Sequence, residues 1–282
     1  MIWYYIFSSL KMRNANNKPV GIFDSGIGGL TVTKEIVKQL PNESIIYLGD
    51  TARVPYGTRS KEVITKFALE LVDFLLKREV KCLVVACNTI SSVALEEIKK
   101  VSPVPVIGVV HPAVKKAVKS TRNKKIGVIG TQGTIRSRAY ENEIKKMDPQ
   151  ITVISTGCPL FVPLAEEGLH KHKATKLMAE DYLKEIIASD VDTLILGCTH
   201  YPLLFETIAE TVGPGVALID SAGPTTEELV KKLKDDNLLA QNSSPIYEFL
   251  VTDAPERVLR VAGRFFGEEI NGNLKQITLP IL

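Results

Sequence analysis

The chain has 282 residues, 45% of them hydrophobic and 24% charged, with a net charge of +3. That is enough to bury one large core or two smaller ones, and the charges intersperse as solvated helix faces rather than as a nucleic-acid-binding surface. Four cysteines, at 82, 87, 158 and 198, form neither a disulfide framework nor a C-x-x-C pair, which sets aside a small secreted scaffold, a zinc knuckle and a thioredoxin-type site and fits a reducing cytoplasm.

Residues 1–18 open with an apolar run, Met1 to Leu10, followed by a polar, Asn-rich stretch to Lys18. The run lacks the positive start and small-residue cleavage site of a secretory signal, and ten residues are too few to span a bilayer. It reads as an N-terminal extension, with Met12 a candidate start. No later segment is long and apolar enough for a transmembrane helix.

From Pro19 onward, short apolar runs alternate with longer amphipathic ones. The predicted strands are Val20–Phe23, Ser44–Leu48, Cys82–Ala86, Val106–Val109, Lys125–Ile129, Thr152–Ser155, Thr193–Leu196 and Val216–Ile219. The predicted helices are Leu30–Leu40, Ser60–Arg78, Ser91–Val101, Ile135–Met147, His172–Ala188 and Tyr201–Thr211. The basic cluster Lys115, Lys116, Lys119, Arg122, Lys124 and Lys125 has no interleaved aromatics and reads as a helix end and its following loop. After Asp220 come a helix (Thr225–Lys234), a strand (Tyr247–Val251) and a last helix (Glu256–Phe266). Apolar strands alternating with helices predict an α/β protein with mainly parallel sheets.

Two internal echoes, each offset by roughly 105–110 residues, predict two similar lobes with a cleft between them. Leu83–Thr89 echoes Leu194–His200, and Gly21–Gly26 echoes Gly127–Gly133. The expected division is residues 19–111 plus 221–282 for the first lobe and 112–220 for the second, with a crossover near His111-Pro112.

Ligands of parallel sheets bind beyond the carboxyl ends of the strands. The residues there are Asp24-Ser25, Gly49-Asp50-Thr51, Cys87-Asn88-Thr89, Thr131-Gln132-Gly133 and Cys198-Thr199-His200. The turn Gly26-Ile27-Gly28-Gly29 lacks the third glycine of a dinucleotide fingerprint and the Lys-Ser/Thr of a P-loop. Its expected use is an anion such as a carboxylate on free backbone N–H groups, or a tight turn that binds nothing. Cys82 and Cys158 read as small buried hydrophobes. Cys87 and Cys198 each follow a strand at a helix start, a position that lowers a thiol pKa. Two such thiols at equivalent places in two lobes suit proton exchange at a stereocentre, where a base and an acid must flank one carbon. Asp24 and His200 are their candidate partners.

The segments Gly21–Gly29, Gly49–Gly57, Ala86–Thr89 and Gly197–Pro202, in this order and spacing, resemble the glutamate racemase family from about Lys18 to the C-terminus. The resemblance implies a cofactor-independent racemase that interconverts L- and D-glutamate, with D-glutamate destined for peptidoglycan in a bacterial cytoplasm. It implies Cys87 and Cys198 as paired proton donor and acceptor. It also implies a glutamate site lined by Asp24, Ser25, Pro55, Tyr56, Gly57, Asn88, Thr89, Thr199 and His200. Either Glu166 or Glu167 matches an acidic position near the second cysteine. No metal, nucleic acid or membrane is expected, and a homodimer is one assembly compatible with the resemblance. An aspartate racemase is the nearest rival; its family carries a glutamate where His200 stands. A non-catalytic amino-acid-binding module is the other, and two cysteines are more than binding needs.

Overall fold

A computed structural model describes residues 16–266 and 274–279; the expected extension of residues 1–18 therefore falls largely outside the described residues. The strands are β1 (Val20–Asp24), β2 (Ile45–Gly49), β3 (Cys82–Val85), β4 (Val106–Gly108), β5 (Lys125–Gly130), β6 (Thr152–Gly157), β7 (Thr193–Gly197), β8 (Ala217–Ile219), β9 (Tyr247–Val251) and β10 (Leu274–Gln276). They form two sheets, β10-β9-β2-β1-β3-β4 and β6-β5-β7-β8, and every pairing is parallel. The order β2-β1-β3-β4 repeats as β6-β5-β7-β8, so the internal echoes correspond to equivalent strands. β1 matches β5 and β3 matches β7.

The central strands β1, β2, β3 and β7 are buried along their whole length, as strands covered on both faces must be. Helices α1 (Leu30–Gln39), α2 (Lys61–Lys77), α3 (Asn88–Val93) and α4 (Leu95–Val101) follow β1, β2 and β3 in the first lobe. The second lobe carries α5 (Val110–Ser120), α6 (Gln132–Ser137), α7 (Ala139–Met147), α8 (Phe161–Glu166), α9 (Lys173–Ala188), a 3₁₀ turn (Tyr201–Leu204) and α10 (Phe205–Val212). α11 (Ala222–Asp235) and α12 (Pro255–Phe265) return to the first core, where Leu229, Leu233, Val258 and Phe265 pack with Val20, Ile22 and Tyr47. Ser60 caps α2 by accepting from the Val63 N–H, and Thr131 caps α6 by accepting from the Thr134 N–H, as hydroxyls do at helix starts.

Several elements differ from the sequence expectation. The helix expected over 91–101 begins at Asn88 and kinks at Ala94, although Ala94 N–H still donates to Ile90 and Ile98 N–H to Ala94. The helix expected over 135–147 begins at Gln132 and breaks at Arg138, whose φ of 54° is left-handed. α8 and β10 were not expected, and of α5 only the end carrying the basic cluster was. Pro112 and Pro163 fall in the first turns of α5 and α8, where a missing N–H costs nothing, but they obscure the helical pattern in the sequence. The basic cluster divides as expected: Lys115, Lys116 and Lys119 lie on α5 and Arg122 in the loop after it. Among the described residues no helix is long and apolar enough to cross a membrane.

Candidate active site

In a sheet ordered β2-β1-β3-β4, the crevice opens beyond the carboxyl ends of β1 and β3, where the connections diverge. Asp24-Ser25 leaves β1 there and Cys87 leaves β3; the Cys87 thiol donates to Ser25 Oγ at 3.3 Å. In the second lobe the equivalent strands deliver Thr131 from β5 and Cys198 from β7. The two ends meet in one cavity of about 510 Å³. Ser25, Pro55, Tyr56, Gly57, Cys87, Asn88 and Thr89 line it from the first lobe, and Cys198, Thr199, His200 and Glu166 from the second. Both thiols face it, 5% and 6% exposed. Cys82 and Cys158 are fully buried elsewhere, as expected of packing cysteines. Among the described residues no cluster of three or more His, Cys, Asp or Glu could hold a metal ion.

Hydrogen bonds fix the lining. Asn88 Nδ2 donates to Tyr140 Oη at 2.7 Å and Ser221 Oγ at 2.9 Å. Thr89 Oγ1 lies 2.9 Å from Thr131 Oγ1, joining the lobes across the cleft. The Val54-Pro55 peptide is cis.

Three expectations need correction, and one open choice is resolved. The glycine turn does not present its N–H groups to an outside anion: the N–H groups of Gly26 and Gly29 go to the Asp24 carboxylate, because the turn folds back over β1. Asp24 itself is 1% exposed and lies behind Cys87 rather than among the cavity-lining residues. Tyr56 lines the cavity, but its hydroxyl donates to buried Asp50, which also accepts from Arg53 and Thr252. Of the two glutamates, Glu166 faces the cavity and Glu167, one helical step of about 100° further on, is exposed.

The thiols also depart from expectation. Burial pushes Cys87 up to about 12, with the Asp24 carboxylate adding to the rise. Burial raises Cys198 further, and the negative fields of Cys87 and Asp24 add to it. The N–H groups at the element starts do act downward, from Ser25 and Ile90 on Cys87 and from His200 on Cys198. Desolvation outweighs them.

A chain of contacts surrounds the second thiol. His200 Nδ1 lies 3.9 Å from Cys198 Sγ, and His200 Nε2 lies 3.0 Å from Glu166 Oε1. Against the desolvation that would raise it, His200 and Arg257 hold the Glu166 carboxyl below the usual carboxylate range. Arg257 of α12 donates from Nη2 to Glu166 Oε2 at 3.2 Å and lines the cavity mouth. Sequence reasoning missed Arg257: it sits in the first turn of an amphipathic helix some sixty residues after Cys198, with no local pattern to mark it.

The paired parallel-sheet lobes and the cleft between their strand ends define a two-lobed α/β protein with two cysteines in one cleft. The chain belongs to the Asp/Glu/Hydantoin racemase family, whose profile matches residues 20–229. It is 49% identical to a glutamate racemase of Geobacter metallireducens over 93% of this chain and 97% of that one. A glutamate racemase structure from Bacillus anthracis superimposes with a TM-score of 0.91 at 40% identity, covering 95% of this chain and 100% of that one. A glutamate racemase from Francisella tularensis in complex with D-glutamate gives 0.88 at 40% identity, covering 93% and 98%.

Proposed function

We propose that this chain racemises glutamate by a two-thiol proton transfer at Cα, and that its product D-glutamate serves peptidoglycan synthesis in the cytoplasm. The carrying observation is that Cys87 and Cys198 enter one cavity from the equivalent strands of two lobes. A thiolate on one face removes the Cα proton, and a thiol on the other face returns a proton to the planar carbanion; the roles swap with direction. Cys87 serves D-glutamate, and Cys198 with His200 serves L-glutamate. Entry of the substrate ammonium supplies the positive charge that favours a thiolate in a desolvated cleft. Asp24 beside Cys87 and His200 beside Cys198 take up the thiol protons. Ser25, Asn88, Thr89 and Thr199 orient the carboxylates. The working lobes are residues 19–111 with 221–282, and 112–220.

The test is solvent deuterium exchange. Dialysed enzyme is expected to exchange the Cα proton of both glutamate enantiomers with no added cofactor, and to favour glutamate over aspartate. Activity lost on dialysis and restored only by pyridoxal phosphate or a metal would overturn the reading. So would turnover of aspartate alone.

A further inference from the structure

Helix α12 belongs to the first core, where Val258, Val261, Ala262 and Phe265 are buried. It nevertheless touches the second thiol's surroundings at three points. Arg257 donates to Glu166 Oε2. Arg264 donates to the Glu166 backbone carbonyl. The Phe265 ring stands edge-on to His200, with centroids 5.1 Å apart. The chain after Glu166 is shaped around this helix: a Cβ on Gly168 would come within 2.8 Å of the Arg264 guanidinium.

These contacts bear on one thiol. Glu166 uses one oxygen for Arg257 and the other for His200, and His200 in turn reaches Cys198. The hydrogen-bond partners of Cys87, from Ser25 and Ile90, and the neighbouring Asp24 carboxylate come from its own lobe.

We propose that Arg257 is a positioning residue for Cys198: it holds Glu166 in the orientation that turns His200 toward the thiol, so the Cys198 face is completed only when α12 and the second lobe are in register. This rests on the two-thiol reading above. Through this link the register of α12 against the second lobe bears on the Cys198 face.

Reversible racemisation conceals such an asymmetry, because the equilibrium constant ties kcat/KM in the two directions together. Elimination from threo-3-chloroglutamate does not. One thiolate removes the Cα proton, the electron pair forms the Cα=Cβ bond, and chloride leaves. The resulting enamine hydrolyses to 2-oxoglutarate and ammonia. The L-enantiomer reports Cys198 as base and the D-enantiomer reports Cys87.

Arg257→Ala is expected to lower kcat for elimination from the L-enantiomer by about fivefold relative to the D-enantiomer, the scale of a partly exposed ion pair, with KM for both little changed. Arg257→Lys, which keeps the cation, should restore most of the loss. Equal losses for the two enantiomers would overturn the proposal, as would a rise in KM alone, which would make Arg257 a substrate contact. Cys198→Ser, run alongside, separates the two levels. It should lose elimination from the L-enantiomer only. If it loses both equally, the two-thiol assignment falls and the positioning role with it. If it behaves as expected and Arg257→Ala does not, only the positioning role falls.

Discussion

Burial and hydrogen bonding act in opposite directions on the two thiols, and burial prevails. Cys87 is pushed up to about 12 by desolvation and by Asp24, while the N–H groups of Ser25 and Ile90 pull down only in part. At neutral pH the resting thiol is therefore protonated, and the thiolate fraction grows about tenfold per pH unit below its pKa. Alkylation of Cys87 by iodoacetamide should rise by about that factor per unit from pH 7 to 9, followed by peptide mass spectrometry, and glutamate should protect. A rate that levels off below pH 8 would show a thiol already ionised in the free protein. The helix-start position was visible in the sequence. Its defeat was not, because desolvation depends on the second lobe closing over the first.

At the scale of elements, the turn between β1 and α1 is set by close approach rather than by ligand binding. A Cβ on Gly28 would stand 2.2 Å from Thr199 Oγ1 and 2.5 Å from His200 Nδ1, across the cleft. Thr31 Oγ1 adds a bond to the Thr199 carbonyl at 3.2 Å. Gly28→Ala would force the lobes apart or displace His200. A displacement of about 1 Å at a reacting group can cost about 10²-fold in rate. The variant is expected to lose about that much racemase kcat, while its urea midpoint moves little because each lobe keeps its own core. Near-normal turnover would show that this approach is not required. The sequence marked these glycines as a turn, but nothing local in them named the partner, which lies about 170 residues away.

At the scale of the whole molecule, the return of the chain to the first lobe depends on a buried ion pair. Lys81 Nζ and Glu43 Oε2 lie 2.5 Å apart, with both side chains 2% exposed. Lys81 also donates to the Leu238 carbonyl at 2.7 Å, and Glu43 Oε1 accepts from the Ala240 N–H at 2.8 Å. The pair thus ties the segment after α11 to the base of the first sheet, which sets β9 beside β2 and leads into α12. Lys81→Met would leave Glu43 buried without its cation, a loss on the order of 3–5 kcal/mol. Urea unfolding should register it as a lower midpoint; an unchanged midpoint would mean that the pair does not hold this segment.

The sequence by itself determined the α/β class, the central strands, the internal echoes, and the two cysteines at strand ends, because periodicity, strand apolarity and strand-end chemistry are local properties. Cys87-Asn88-Thr89 and Cys198-Thr199-His200 each carry their signal within a few residues. Only the tertiary structure decided that Glu166 rather than Glu167 faces the cleft, that Asp24 lies behind Cys87, that Tyr56 turns its hydroxyl to Asp50, and that Arg257 reaches Glu166. Each of these depends on which surfaces of two lobes meet, and on the electrostatics of excluding water between them. No window of the chain contains that information.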